Sequence, residues 1–290
     1  MVKWTDTKVA ILLLTPLIFL QLALSIYPMA YSIWMSLTDI NLYKGTADFV
    51  GGANYIKALS DPFLGNSVIV TIRFVIEVTI LVIVLGIGIA LFLNESFKGR
   101  SILRVLVLAP WAISEFATAS MGRYLFSGTY GFLNSLLLRL GLINQVVDFL
   151  NTPYTVELMA VLYAWHFAPL VIFFILAALQ TIPEDLYKQA KIDGAGALFR
   201  FRYITLPFIR YAAIMGAVLA LIESARTIDV VFVLTGGGPG SASTTMTYLI
   251  YKVFFVSMRL SYGSALSWIL MAGLLVAVTG YFWLLSKRRR

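Results

Sequence analysis

The sequence predicts an all-α membrane protein with six transmembrane helices, and three observations carry that prediction. The 290-residue chain is 60% hydrophobic and only 12% charged, with mean hydropathy +0.88. A soluble domain averages about 45–50% apolar and about 25% charged residues. Six apolar runs, roughly 9–37, 67–93, 102–125, 156–180, 208–234 and 263–285, each reach the ~20 residues that a membrane helix needs. Lysine and arginine are distributed unevenly over the segments between those runs. With the N-terminus inside, the inner segments hold 14 of them and the outer segments 6 (Lys44, Lys57, Arg123, Arg139, Lys252, Arg259). By the positive-inside rule both termini and the segment after the fourth run are cytoplasmic.

Each run has its own marks. Lys3 and Lys8 precede the first, as in a signal peptide. The run is too long for a signal core of about 7–15 residues, so it is read as an uncleaved first helix. Pro16, Pro28, Pro110 and Pro169 fall inside runs, where kinks are expected because neighbouring groups can satisfy the freed carbonyls. The outer segment 127–155 contains Leu133, Leu136, Leu137 and Leu140 at amphipathic helical spacing. This helix can lie on the outer surface; Asn134, Arg139, Asn144 and Asp148 argue against a seventh span. The glycine-rich 236–240 is a turn. Residues 1–65 form a first helix with its outer loop, and 66–290 the transmembrane core with a cytoplasmic loop at 181–207.

The net charge of +8 is dispersed over the ends of the runs, with one cluster at 287–290, and so marks topology and not a nucleic-acid face. The absence of cysteine excludes disulfides and thiolate chemistry, and a single histidine, His166, excludes a multi-histidine metal site. There is no G-x-x-x-x-G-K-[ST] phosphate loop, and no catalytic set is defensible, so the chain is not read as an enzyme.

Two polar constellations stand out from the apolar background. The first is 184–207, EDLYKQAKIDGAGALFRFRYITLP. Lys188 to Asp193 reads as a short surface helix broken by Gly194 and Gly196, with a second short helix over 197–203 and Pro207 in the first turn of the next span. That shape suits a docking surface. The second is the set of ionisable residues inside runs, which normally face protein or a wet cavity. Glu223, Arg226 and Asp229 lie at i, i+3, i+6 with Ser224 and Thr227 beside them. They read either as an intrahelical ion pair at a subunit seam or as a wall that binds hydroxyl groups. Arg73 and Glu77, at i, i+4, neutralise each other. Glu115 follows Pro110-Trp111 and is placed to reach a cavity.

Asp193-Gly194-Ala195, followed by Ile204-x-Leu206-Pro207, resembles the cytoplasmic loop motif of binding-protein-dependent ABC importer permeases. The flanking Ile182-Pro183-x-Asp185-Leu186-Tyr187 resembles the carbohydrate subgroup. The family's Glu-Ala-Ala falls on Lys188-Gln189-Ala190, so only the final alanine is kept. Glu223-Ser224-Ala225-Arg226-Thr227-Ile228-Asp229, with Val233-Leu234-Thr235-Gly236-Gly237-Gly238-Pro239, is similar to the fifth-helix signature of sugar permeases of the trehalose/maltose type. The resemblance implies a type I ABC importer permease fold in the cytoplasmic membrane. Its partners would be a second homologous permease subunit, two ATP-binding cassette subunits and an extracytoplasmic sugar-binding protein. This chain would bind no cofactor itself, ATP and magnesium being handled by the ATPase subunits. Glu184, Tyr187, Lys188, Ala190, Asp193, Gly194, Ala195, Leu206 and Pro207 would couple to the ATPase. Glu223, Ser224 and Thr227 would line the substrate cavity, with His166 and Leu170; Glu115 joins them by its own place after Pro110-Trp111, where the family usually has a small or apolar residue. A lone histidine in an apolar helix is also a common interhelical donor, and that reading of His166 stays open. The substrate would be an α-linked disaccharide such as trehalose or maltose. The rival readings are a transporter or channel driven by an ion gradient, with Glu223, Arg226 and Asp229 as a proton relay, and a membrane scaffold.

Overall fold

A computed structural model describes residues 6–287. The charge readings on Lys3 and on Arg288, Arg289 and Arg290 lie outside the described residues. Five helical stretches, Ile11–Ser36, Pro62–Asn94, Thr155–Leu179, Ala197–Arg226 and Leu260–Trp283, are long and apolar enough to cross a membrane. Arg100–Ala112 and Glu115–Phe126, two helices bent by 95°, make a sixth if the pair is counted as one span.

The elements run in chain order. Helices α1 (Asp6–Gln21) and α2 (Tyr27–Ser36) form the first span. A two-stranded antiparallel ribbon, β1 (Thr38–Asn41) and β2 (Thr46–Phe49), follows, pairing Thr38 with Phe49 and Asn41 with Thr46. The sequence reading saw only turn residues here, because four-residue strands carry little hydrophobic pattern. Then come α3 (Ala53–Leu59), α4 (Pro62–Asn94), α5 (Arg100–Ala112), α6 (Glu115–Phe126), α7 (Phe132–Arg139), α8 (Thr155–Leu179), α9 (Glu184–Ile192), α10 (Ala197–Arg200), α11 (Leu206–Arg226), α12 (Met246–Tyr251) and α13 (Leu260–Lys287).

The chain divides into two compact units. The first holds residues 1–64 and 249–276. Its ribbon and α3 are held by polar contacts: Asn54 Nδ2 donates to the carbonyls of Ser36 (3.0 Å) and Thr38 (2.8 Å), and Ser261 Oγ accepts from Ile40 N at 3.0 Å. Tyr262 donates to Asp61 at 2.7 Å, and the Trp268 indole donates to Ser32 Oγ at 3.1 Å. Leu12, Leu13, Leu17, Phe19 and Leu24 are exposed, as a helix solvated by lipid requires.

The second unit holds residues 65–248 and 277–290, with α8 at its centre. Phe74, Val78 and Val82 of α4, Val171, Ile172 and Ile175 of α8, and Ile209 of α11 are all buried. Lipid is as apolar as leucine, so close backbone approach and dispersion, not water exclusion, hold such helices together. Gly86 and Gly216 provide that approach on either side of Val171. A Cβ at Gly216 would lie 2.5 Å from Val171 Cγ1, and one at Gly86 would lie 3.1 Å from the same atom. Gly216→Leu is therefore expected to separate α11 from α8 and destabilise the unit by about 1–3 kcal/mol or more. The loss is read as a lower melting temperature of the purified protein in detergent, and an unchanged melting temperature would refute the packing argument.

Two prolines share one solution. A five-residue turn of wide π-helix spans Leu22–Ile26, with Tyr27 N bonded to Leu22 O, and Pro28 follows. A second spans Phe201–Thr205, with Leu206 N bonded to Phe201 O, and Pro207 follows. The proline ring would clash with the carbonyl four residues back, Leu24 or Tyr203, and the wider turn moves that carbonyl aside. Residues 197–203 are not a separate short helix; they continue through the wide turn into α11 as one stretch, Ala197–Arg226.

Arg73 and Glu77 pair as expected, Arg73 Nε lying 2.9 Å from Glu77 Oε1. Arg73 also donates through Nη2 to Glu157 in the first turn of α8. That helix end favours a negative charge, so the third partner has a local reason to be there.

Candidate functional site

The site is built where two spans break. The first break separates α5 from α6. Pro110 lies two residues before the end of α5, and Ile113 and Ser114 are extended, with ψ 144° and 148°. Ser114 then caps α6, its hydroxyl accepting from Ala117 N at 3.3 Å. Glu115 is the first residue of α6, where a carboxylate suits the free N–H groups.

The second break ends α11 at Arg226. Thr227 is extended, with φ −62° and ψ 140°, and a new turn of wide helix covers Val231–Thr235. The single run expected over 208–234 is thus interrupted, and Asp229 belongs to the segment after the break instead of the same helix as Glu223. Thr227 and Ile228 are both β-branched and fit an extended backbone better than a helix. The freed carbonyl of Ala225 accepts from Thr247 Oγ1 of α12 at 2.8 Å. Broken backbone at membrane depth is tolerated when it is satisfied in this way or lines a cavity.

The two breaks meet. Thr227, 6% exposed, donates its hydroxyl hydrogen to Glu115 Oε1. Glu223 and Asp229 lie within Coulombic range of the Glu115 carboxyl. Arg226 Nη1 stands 3.5 Å from Glu223 Oε1, and its side chain is 64% exposed, so the pair is loose. His166 of α8 joins both arms of the first break: Nδ1 donates to Pro110 O at 2.9 Å and lies 3.4 Å from Thr118 Oγ1 of α6. Because Nδ1 carries the donated proton, Nε2 of the neutral ring is an acceptor. Tyr163, one turn earlier and buried, packs its ring against Phe74 at 5.8 Å, Phe167 at 6.1 Å and His166 at 6.3 Å.

Glu115, Thr227 and Glu223 are therefore brought together, and His166 is held at the same bend. Ser224 is buried and spends its hydroxyl hydrogen on Ala220 O at 2.6 Å, within its own helix. Leu170 lies one turn beyond His166 on α8, half-buried. Thr118 and Tyr163 were not anticipated. Tyr163 is three residues before His166, a spacing that could have found it; Thr118 contributes only through the bend. The assembled groups, carboxylates, hydroxyl, imidazole and guanidinium, are of the kinds that bond to hydroxyl groups, and the rings of Phe74, Tyr163 and Phe167 behind them are buried. Among the described residues no group of acidic or histidine side chains could hold a metal ion.

The loop constellation, 184–207, follows the C-terminal end of α8. Helix α9 starts at Glu184, earlier than expected, with Glu184 and Asp185 in its first turn and Lys191 in its last. Gly194 closes it at φ +76°: Ala195 N bonds Ala190 O at 2.8 Å, and Gly194 N bonds Lys191 O at 3.1 Å. This Schellman closure needs a left-handed residue, and glycine supplies it. Gly196 takes an ordinary extended conformation and starts α10 instead. Tyr187 Oη lies 2.8 Å from the buried Thr205 Oγ1, which straps α9 to the wide turn before Leu206 and Pro207. Lys188 pairs locally with Asp185 at 3.1 Å and Glu184 at 3.7 Å. Ile192 (84% exposed), Leu198 (78%) and Phe199 (54%) face outward beside the exposed Asp193.

A family model described as "Binding-protein-dependent transport system inner membrane component" matches residues 82–290. The chain belongs to this family. It is accordingly a multi-pass membrane component of a transport system and not an enzyme. This permease is 36% identical over 253 residues to the trehalose/maltose transport system permease protein MalF of Thermococcus litoralis, covering 87% of this chain and 85% of that one. It is 31% identical to the sulfoquinovosyl glycerol transport system permease protein SmoG of Agrobacterium fabrum, over 97% and 92% of the two chains. Its fold matches a chain of the crystal structure of a bacterial ABC transporter involved in import of the acidic polysaccharide alginate, with TM-score 0.80, 23% identity and coverage of 97% and 95%. The fold is that of a type I ABC importer permease.

Proposed function

We infer that this permease carries a neutral sugar, an α-linked disaccharide of the trehalose or maltose kind, across the cytoplasmic membrane for an ATP-driven importer. The observation that carries the sugar reading is the junction of the two breaks, where Glu115, Thr227 and His166 gather hydrogen-bonding groups. Relatives named for trehalose and maltose transport support it. Three carboxyls, Glu115, Glu223 and Asp229, stand near one guanidinium, Arg226, an environment that repels an anionic substrate such as alginate.

Energy comes from outside the chain. The exposed face of α9 and α10 seats in an ATPase subunit, and Tyr187, strapped to Thr205, passes the movement into α11. The uneven distribution of lysine and arginine supports a cytoplasmic position for this face. A second homologous permease completes the pathway, and a sugar-binding protein delivers substrate on the opposite side; the alginate transporter has been crystallised with its periplasmic protein. Alternating access then exposes the junction to each side in turn.

The test is purification from native membranes in mild detergent. A second six-helix chain and an ATPase should accompany the permease, and loaded sugar-binding protein should stimulate ATP hydrolysis. Uptake driven by a proton gradient without ATP, by the chain alone, would refute the reading.

A further inference from the structure

A polar crevice of about 260 Å3 lies at the end of the second unit that holds the start of α8, the end remote from α9. Arg123, Ser127, Tyr130, Asp148, Asn151 and Thr235 line it. It is a constructed feature and not a gap between loops. The amide of Asn134, 4% exposed, donates to Ser127 O at 3.1 Å and Val147 O at 2.8 Å and accepts from Val147 N at 3.0 Å. One buried side chain thus pins both walls. Gly128 lies so close to Asp148 that an added Cβ would sit 3.1 Å from Asp148 Cβ. Ser127 Oγ accepts from Thr129 N at 3.3 Å and Tyr130 N at 3.5 Å, which sets the Tyr130 ring beside Tyr124 at 5.8 Å.

The lining is chemically specific. Arg123 uses Nη1 on Val233 O at 3.2 Å, which leaves Nε and Nη2 for a ligand. Asp148 accepts from Asn151 through Oδ2, which leaves Oδ1. One cation and one anion cancel, so the crevice favours a neutral ligand with both donors and acceptors. At about 260 Å3 it lies just under the usual ~300–1,000 Å3 of ligand pockets, a size that suits one sugar ring better than two. A planar guanidinium, a carboxylate and exposed tyrosine faces suit a pyranose.

We propose that this crevice is an entry subsite that holds one sugar ring before the solute reaches the junction of the breaks. The inference rests on the sugar reading above. Helix α6 connects the two places: Glu115 is at its start, and Arg123 is eight residues on, about 12 Å along the axis at 1.5 Å per residue. A disaccharide leaving the crevice therefore has about its own length to travel.

The test uses the complete transporter in nanodiscs and proteoliposomes, with trehalose carrying a diazirine as the probe. Photolabel is expected on the segment that contains Tyr130 and Asp148, displaced by excess trehalose and lost in Tyr130→Ala. Asp148→Asn should lower trehalose uptake about fivefold, as expected for one lost hydrogen bond, with no change in the binding-protein concentration that half-saturates transport. Label confined to the junction, with both variants transporting at the wild-type rate, would overturn the proposal. So would variants that raise the half-saturating concentration of binding protein without any label in the crevice, which would make it a protein contact. If the unaltered transporter takes up no sugar at all, the sugar reading itself falls, and the subsite with it.

Discussion

Glu115→Ala is expected to reduce sugar uptake by the reconstituted transporter at least about tenfold, whereas Glu115→Gln retains a substantial part of it. Thr227 is buried, and its hydroxyl donates to Glu115. Alanine removes the acceptor, and an unsatisfied buried donor costs about 1–3 kcal/mol. It also removes a side-chain bond that joins the two broken spans where they meet. Glutamine keeps an oxygen that can accept from Thr227 but removes the negative charge. Because Glu115→Ala breaks this buried bond, it should lower the melting temperature in detergent, and Glu115→Gln should lower it less. Thr227→Val conserves shape and should match Glu115→Ala. The double variant should be little worse than either single change, since both remove one interaction. Additive losses would show that the two residues act separately.

Leu198→Asp is expected to release the ATPase subunit from the purified complex and abolish ATP-driven uptake, with no loss of thermal stability in the isolated permease. Leu198 and Ile192 are 78% and 84% exposed, so neither supports the fold around it. Large apolar side chains displayed together on a polar loop mark an interface, and a charge at the centre of one is strongly unfavourable. The contrasting variant is Gly194→Val, which forces a β-branched residue to φ +76° and should unwind the end of α9. It is expected to weaken ATPase association and also to lower the melting temperature. Co-purification at wild-type levels in Leu198→Asp would remove α9 and α10 from the coupling surface.

Much of this was legible in the chain itself. Apolar runs of bilayer length recur whatever the packing, because the membrane demands internally satisfied backbone and an apolar exterior. The turn at Gly194 was legible for a similarly local reason, since a helix end with a left-handed residue selects glycine. Arg73 and Glu77 were legible as neighbours at i, i+4. What escaped involves residues far apart in sequence. The partner of Arg73 on α8 is 84 positions away, and the acceptor for Thr227 is 112 positions away. Composition could not show that two runs are interrupted, because the residues at the breaks, Ile113-Ser114 and Thr227-Ile228, are as apolar or small as their surroundings. Asn134 read as a residue too polar for a span, and the structure gives it the task of joining two loop walls.

The sequence by itself determined that the chain crosses a membrane in about six passes, carries its charge at the ends of those passes, and presents one polar loop built around Gly194. Packing between distant helices settled that the chain breaks between α5 and α6 and again after α11, that the breaks meet at Glu115 and Thr227, and that His166 ties α5 to α6 across the bend. The physical reason is the range of the forces involved. Bilayer length, helix capping and wide turns before proline act within a few residues of one another. The satisfaction of a freed carbonyl or a buried hydroxyl depends on whichever distant helix the packing brings alongside.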